Sequence, residues 1–312
     1  MVPVHVASGY RSVLFMTTQS LQEKVLSLKL NAAIAVRHAN GWQKLIDLYG
    51  EQKATEFYTH LGLNHLEKKS IEWEGLKLSR EPKEHEKIAV KGIHSAQESS
   101  KDAIGKILLS LREELISDGL KGIKKLKPAS YHELTLQASS AIRTDLRDRL
   151  IKVHRQGRNL VAAELGKKEA VPEDEFDDLD ELVDVTLSRV VNETQSRIIA
   201  AATEGVTVGR TGSDLLASIV SSVNTGSVTY IDRAAGGLSN RVIGIGRHDE
   251  MQSRSDDIGR YEYSALLDVN TCSPCASLDG TTAQRMEDLP EVPLADCEGG
   301  SLCRCFIVAI AN

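Results

Sequence analysis

The chain has 312 residues, of which 41% are hydrophobic, 26% charged and only 4% aromatic, and its formal net charge is −6. This length exceeds a typical domain of roughly 100 to 200 residues, so we expect two or three units. The scarcity of aromatic residues disfavours a large β-sandwich or barrel and favours helix. The sequence contains no secretory-type leader and no run of roughly 20 apolar residues, so we expect a soluble protein made in the cytoplasm, without a membrane partner.

The N-terminal part is predicted to be helical. Apolar residues recur at three- and four-residue intervals over residues 21–38, which predicts one amphipathic helix, and two shorter helices are predicted over residues 42–48 and 51–61. Residues 67–86 are polar and contain Pro82, so we interpret them as a connector. We therefore expect an N-terminal helical region over residues 1–98.

The middle of the chain is predicted to contain a long helix. Ser99 or Ser100 can cap a helix that ends near Gly119. The longest periodic segment, residues 131–167, predicts a helix of about 35 residues and about 50 Å, unless Gly157 divides it. We expect a basic helical region over residues 99–170.

Charge is distributed unevenly in this part of the chain. Residues 101–168 contain fifteen Lys or Arg against eight Asp or Glu, whereas residues 173–184 contain eight acidic residues and no basic one. The basic residues could contact nucleic-acid phosphates, but interleaved acids and missing stacking aromatics favour a solvated helix face. The acidic run could be a docking surface, but Pro172 and the acids favour a helix start.

The C-terminal third is predicted to change from helix to strand. We expect the acidic helix to reach Gly205 and a short helix over residues 213–223 to be capped by Ser213. Beyond Asn224 the glycine-containing sequence is β-compatible, and Gly244-Ile245-Gly246 is interpreted as a turn because it lacks the rest of a dinucleotide motif. Alternation predicts strands over residues 260–269 and 303–311.

All five cysteines lie within a short C-terminal stretch: Cys272 and Cys275 as C-x2-C, then Cys297, then Cys303 and Cys305 as C-x-C. If two strand ends present these thiols together, four sulfur atoms can surround one tetrahedral ion, and zinc is the expected cofactor. Disulfides and free thiols are the alternatives, and reducing conditions disfavour disulfides. Five sulfurs for four positions leave the choice of ligands open. An all-sulfur site is typical of structural rather than catalytic zinc.

The C-terminal signature is similar to that of a known family. It consists of Asp268, Thr271, Cys272, Cys275, Leu278-Asp279-Gly280, Pro290, Pro293 and Cys303-Arg304-Cys305. In order and spacing, these roughly forty residues resemble the end of the phage head morphogenesis proteins, the Mu F-like minor head proteins. Upstream the resemblance is looser, and residues 213–223 and 233–247 look like the helical part of that domain. One departure concerns a ligand: where the family commonly has His three residues before C-R-C, this chain has Gly300, and Cys297 lies three residues earlier.

The resemblance assigns residues 171–312 to a Mu F-like domain. It implies a minor capsid protein of a tailed bacteriophage that acts in head assembly at the portal vertex and in the head interior. The implied partners are the portal protein and capsid or scaffold proteins, with double-stranded DNA as a further candidate. The implied location is the virion, and the bacterial host cytoplasm during assembly. No enzymatic activity is expected.

The expected fold class is α+β, with mainly α-helical N-terminal two thirds that include a long helix, and a small zinc-stabilised α+β unit at the C-terminus. Two other functions compete with this one. A zinc-stabilised nucleic-acid-binding protein would use the basic residues 121–158. A zinc hydrolase is disfavoured because the sequence has no H-E-x-x-H motif, and the contiguous His248, Asp249 and Glu250 have no accompanying nucleophile motif.

Overall fold

A computed structural model describes residues 71–312 except residues 169, 171–175, 177, 266 and 268–270. The helices predicted over residues 21–38, 42–48 and 51–61 therefore lie outside the described residues. Residues 71–312 form one compact unit. This unit is mostly helical, with a small C-terminal region that contains strands, so the α+β fold class is confirmed.

Four long helices pack into a bundle. They are α1 (Lys87–Lys125), α2 (Ser140–Glu164), α3 (Leu179–Thr207) and α4 (Gly212–Ser253). Helix α4 packs against each of the other three. The fully buried core residues of the bundle include Ile104, Leu108, Leu111, Leu115, Leu146, Leu150, Ile198 and Ile219. Since isolated helices are marginal in water, this apolar interface supplies most of their stability.

Helix α1 begins earlier and ends later than predicted. It starts at Lys87, after a 3₁₀ turn at Glu84–Glu86, because Ala89, Val90 and Ile93 already form a buried stripe. Ser100 does not cap a helix: it is buried in the middle of α1 and its hydroxyl donates to Gln156 Oε1 at 2.9 Å. Gly119 also lies inside the helix, facing Ile198 of α3.

Helix α2 is shorter than the predicted 35-residue helix. A 3₁₀ turn occupies Pro128–Glu133, and α2 begins only after Ser139, whose hydroxyl accepts a hydrogen bond from the Ile142 amide at 3.4 Å. This is a capping interaction, which Ser provides well. Gly157 does not divide the helix.

Helix α3 begins at Leu179, so the predicted start at Pro172 was wrong: Asp178, just before the helix, has a left-handed φ of 62°. Residues 171–175 lie outside the described residues. Helix α4 then begins at Gly212, so Ser213 lies inside it rather than capping it. The prediction of β-compatible sequence after Asn224 was wrong, because α4 continues to Ser253. Buried apolar side chains along this half of the helix explain the difference: they are Ile231, Ala235, Leu238, Val242 and Ile243.

The predicted turn at Gly244-Ile245-Gly246 was also wrong, because these residues lie within α4. A Cβ added to Gly246 would lie 2.1 Å from the carbonyl oxygen of His154 on α2, and one added to Gly157 would lie 2.4 Å from the carbonyl oxygen of Ile243. The two glycines therefore allow the backbones of α2 and α4 to touch where the helices cross.

A β-hairpin precedes the bundle, in residues predicted to be a connector. Strand β1 (Ile71–Trp73) pairs antiparallel with β2 (Leu76–Leu78). Glu74 and Gly75 form the turn with positive φ angles of 47° and 81°. Leu78 is buried in a cluster that also contains residues of α1 and of the C-terminal strand. Long-range packing therefore stabilises a hairpin too short to be stable alone.

The C-terminal strands β3 (Ile258–Ser264), β4 (Thr282–Ala283) and β5 (Phe306–Ala311) form a three-stranded antiparallel sheet in the order β4-β3-β5. Strands β3 and β5 lie where strands were predicted, but β3 ends at Ser264 instead of continuing to residue 269, and β5 begins at Phe306 instead of residue 303. Burial differs from the expected single apolar face, because Glu262 and Ser264 are as buried as Tyr261 and Tyr263. Ser264 pairs with Phe306, so the end of β3 lies beside the start of β5.

An ion pair between α2 and α4 covers the outer edge of β5. Glu164 and Arg247 pair at 3.0 Å (Oε2 to Nη2), and their side chains are 1% and 4% exposed. Arg247 also donates to the Ile307 carbonyl oxygen at 2.5 Å, and the Ala309 amide donates to Glu164 at 3.2 Å. These two side chains thus form hydrogen bonds with backbone groups of β5 that a neighbouring strand would otherwise bind. They also join the sheet to the bundle.

Candidate metal centre

The C-x2-C pair follows the end of β3. Cys272 is the residue before a short helix, α5 (Ser273–Leu278), and Cys275 lies in that helix with 1% exposure. The Thr271 hydroxyl donates to the Ala265 carbonyl oxygen at 2.8 Å, which closes the loop back onto the strand. Pro274 in the first turn suits the start of a helix. These contacts direct both thiols toward the start of β5.

The other three cysteines reach the same place from the opposite direction. Cys297 lies in a loop closed by hydrogen bonds from its amide to Leu294 and from the Gly300 amide to its carbonyl oxygen. Gly300 has a φ of 50°, which suits glycine. It begins a 3₁₀ turn, Gly300–Leu302, which leads to Cys303 and, next to β5, to Cys305.

The five predicted ligand residues come together in two groups. The sulfur atoms of Cys272, Cys275 and Cys297 lie within 4.8 Å of one another, as do those of Cys275, Cys303 and Cys305. The Sγ atom of Cys297 is 3.8 Å from that of Cys272 and 3.6 Å from that of Cys275. Zinc–sulfur bonds of about 2.3 Å in a tetrahedron place sulfurs about 3.8 Å apart. A disulfide requires about 2.05 Å. All five thiols are free, and the clusters can hold a metal ion.

Burial favours the protonated form of most of these thiols. It raises the pKa of Cys275 and of Cys297. A hydrogen bond with Cys305, together with burial, raises the pKa of Cys303. Burial acts in the same direction on Cys272, but hydrogen bonds from Cys275 and neighbouring groups outweigh it and lower its pKa. Since a metal binds thiolates, metal binding would release protons and become tighter as pH rises.

Tyr263, which the sequence did not single out, lies against this cluster. Its side chain is fully buried and packs with Ala265, Cys275 and Cys305. The hydroxyl lies beside the thiols of Cys305 and Cys275, but no described residue offers it an acceptor with hydrogen-bond geometry. A buried hydroxyl normally has a partner, and a metal-bound thiolate is a good acceptor. The orphaned hydroxyl therefore fits a cluster of metal-bound sulfur atoms.

Arg80 holds the segment that carries the C-x2-C pair. Its guanidinium donates to both carboxylate oxygens of Asp279, at 2.5 and 3.1 Å, and to both oxygens of Glu86, at 2.7 and 2.6 Å. Asp279 also accepts the amide of Ala265 at 2.8 Å. Asp279, a residue of the C-terminal signature, thus connects both ends of the segment 265–279 to Arg80. No local signal in the sequence points to Arg80.

Arg304, between the last two cysteines, faces α1. It donates to Gln97 Oε1 at 3.0 Å and lies 2.7 Å from His94 Nδ1. Burial and the charge of Arg304 lower the pKa of His94. The C-x-C segment is thereby attached to the first half of α1.

The contiguous His248, Asp249 and Glu250 point to different neighbours. Asp249 contacts buried His154 at 2.7 Å, whereas buried Glu250 pairs with Arg158 at 2.9 Å. Burial would raise the pKa of Asp249, but hydrogen bonds from His154 and His248 hold it well below its usual range. These contacts join α2 to α4 and bring no shared substrate position together.

Comparison with protein-family models, with curated proteins and with solved structures finds no match for this chain. Among the described helices, none combines the length and apolar character needed to cross a bilayer.

Proposed function

We propose that the C-terminal unit binds one structural zinc ion through four of its five cysteines. The observation that carries this proposal is the sulfur spacing of 3.6 and 3.8 Å around Cys297, close to that of a tetrahedral zinc–thiolate site. Zinc fits because it prefers four sulfur or nitrogen ligands and has no redox chemistry of its own. The ion would join the end of β3 to the start of β5, where the sheet is only three strands wide.

Metal analysis of the reduced full-length chain tests the zinc site. We expect one zinc per chain, loss of that zinc in Cys275→Ser, and a reversible fall in melting temperature after chelation. Ser277→Ala is the matched control, because Ser277 lies in the same short helix and its exposed hydroxyl donates to the Pro274 carbonyl oxygen. A chain without zinc whose C-terminal sheet is nevertheless ordered would contradict the proposal.

We further propose that the chain is a non-enzymatic minor capsid protein of a tailed bacteriophage that acts in head assembly. The resemblance of residues 268–305 supports this proposal. Each described polar residue of the signature also has a structural use: Thr271 closes the loop, Asp279 binds Arg80 and Arg304 attaches to α1. The proposed partners are the portal protein and capsid or scaffold proteins, in the virion and in the host cytoplasm during assembly.

Complementation tests this role. A phage lacking the gene would receive the wild-type chain, Cys275→Ser or the control Ser277→Ala, and purified heads would be assayed for the chain by mass spectrometry. We expect incorporation of the wild type and the control but not of Cys275→Ser. Heads that form and deliver DNA normally without the chain would contradict the proposal.

The charges of α2 weigh against nucleic-acid binding as the main function. Arg143 and Arg147 pair with Asp184 and Asp180 of α3, and Arg158 is buried. Guanidinium groups that are already paired gain less from phosphate contacts, because the existing pairs must be broken. If DNA binding were the main function, affinity for duplex DNA would be measurable at low salt and would fall steeply as salt is added.

A further inference from the structure

The buried hydroxyl of Tyr263 requires an explanation beyond packing. The residue lies on β3, one strand position before Ser264, and is fully buried. Tyr side chains that are buried this deeply normally place the hydroxyl against a hydrogen-bond partner. Here none of the described residues provides one with suitable geometry. Such an orphaned donor indicates that a better acceptor is present in the functional state.

The thiols of the metal cluster are the groups beside this hydroxyl. Tyr263 shares one buried cluster with Cys275 and Cys305. A tyrosine phenol ordinarily carries its proton at neutral pH, so the hydroxyl can act as a donor. A neutral thiol is a weak acceptor, whereas a thiolate accepts a charge-assisted hydrogen bond. Metal binding would convert the neutral thiol into a thiolate.

Cys275 is the sulfur that this contact would serve. It belongs to both groups of three cysteines, so it is a ligand whichever residue of the C-x-C pair completes the site. It is also 1% exposed, so water does not compete for its sulfur. Four thiolates around one Zn²⁺ leave a net negative charge, and a buried charge needs hydrogen bonds to be stable. A donor aimed at the buried ligand would meet this need.

We propose that the Tyr263 hydroxyl donates a hydrogen bond to the metal-bound thiolate of Cys275 and thereby strengthens metal binding. The inference rests on the proposed zinc site. It makes Tyr263 a positioning residue rather than a ligand, because its oxygen acts on the sulfur and not on the metal. Groups that hydrogen-bond to metal ligands in this way typically change metal affinity by about 10- to 100-fold.

Tyr263→Phe in the full-length chain tests the inference, with Tyr261→Phe as the matched control. Tyr261 lies on the same strand and is 4% exposed, but it packs against Met251 and Met286 rather than the cysteines. Affinity for Zn²⁺ would be measured by competition with a chromophoric chelator, and Co²⁺ would report the thiolate charge-transfer band. We expect Tyr263→Phe to bind one metal about 10- to 100-fold more weakly, with a shifted band. Tyr261→Phe should match the wild type.

Thermal melting separates this role from simple packing. In the metal-free chain Tyr263→Phe removes an unsatisfied buried hydroxyl, so its melting temperature should stay the same or rise; in the zinc-loaded chain it should fall. The inference is wrong if Tyr263→Phe binds Zn²⁺ with wild-type affinity and shows the wild-type Co²⁺ band, or if its melting temperature falls equally in the metal-free and zinc-loaded chains. Either result would leave the proposal of the zinc site unaffected. A wild-type chain that binds no metal would overturn both proposals.

Discussion

The buried ion pair between Glu164 and Arg247 provides the sharpest test of how the C-terminal sheet is attached to the bundle. Glu164→Gln keeps the shape of the side chain but leaves Arg247, which is 4% exposed, without a carboxylate. Removing one partner of a buried pair costs about 3–5 kcal/mol. We expect about 3 kcal/mol, because the Gln side-chain oxygen can still accept the Ala309 amide that now donates to Glu164.

Urea denaturation of the full-length chain, followed by circular dichroism, measures this free energy of unfolding. Glu193→Gln is the control: Glu193 pairs with Arg197 one helical turn away, at 33% and 34% exposure, so its loss should cost less than about 1 kcal/mol. Adding Arg247→Met to Glu164→Gln should restore part of the stability, since no buried charge is then left unpaired. If Glu164→Gln costs no more than Glu193→Gln, the structural role assigned to this pair is wrong.

Three further predictions follow from single contacts. Gly246→Ala should lower the free energy of unfolding by about 1–3 kcal/mol, because its Cβ would lie 2.1 Å from a backbone oxygen. Gly244→Ala in the same helix meets nothing within 4 Å and should raise the free energy of unfolding by up to about 1 kcal/mol. Urea denaturation measures both. Arg80→Met should weaken zinc binding, because Asp279 loses its ion pair with Arg80. Chelator competition measures this affinity, and a wild-type value would contradict the prediction. Burial would raise the pKa of Glu86, but hydrogen bonds from Arg80 and Lys83 lower it below its ordinary value. The ionised Glu86 carboxylate should therefore stabilise the fold fully above about pH 4.3, and this stabilisation should be lost as pH falls further. In Glu86→Gln, the free energy of unfolding should change less over that acidic range.

The parts of the fold that the sequence predicted correctly are those with a strong local pattern. Strands β3 and β5 combine β-branched and aromatic residues with turn residues around them, and tertiary packing agrees with that preference. The second half of α4 differs because its glycines weaken the local helical preference. Gly246 is needed for contact with α2, which no local pattern reveals. The β1–β2 hairpin was missed for a similar reason: Leu78 is buried against α1 and Phe306, far away in the chain.

The cysteines of the candidate metal centre were also predictable from a local pattern. Cysteine spacing identified all five thiols that the fold brings together, because C-x2-C and C-x-C restrict where the sulfur atoms can point. The choice of four ligands was not predictable, since Cys275 lies close to both of the C-x-C residues. Arg80 and Tyr263 could not be found from sequence, because their roles depend on neighbours brought close only by the fold.

If the cysteines bind zinc as proposed, the contacts around them would link metal binding to the order of α1. Arg304 lies between two cysteines and contacts His94 and Gln97 of α1, while Arg80 joins Asp279 to Glu86 just before that helix. If zinc fixes the cysteines, it also fixes these arginine contacts, and their free energy adds to the metal affinity. The linkage is reciprocal: a change that loosens residues 80–97 must weaken zinc binding by the same free energy by which zinc stabilises them. A zinc ion bound there would therefore stabilise the start of the bundle as well as the sheet.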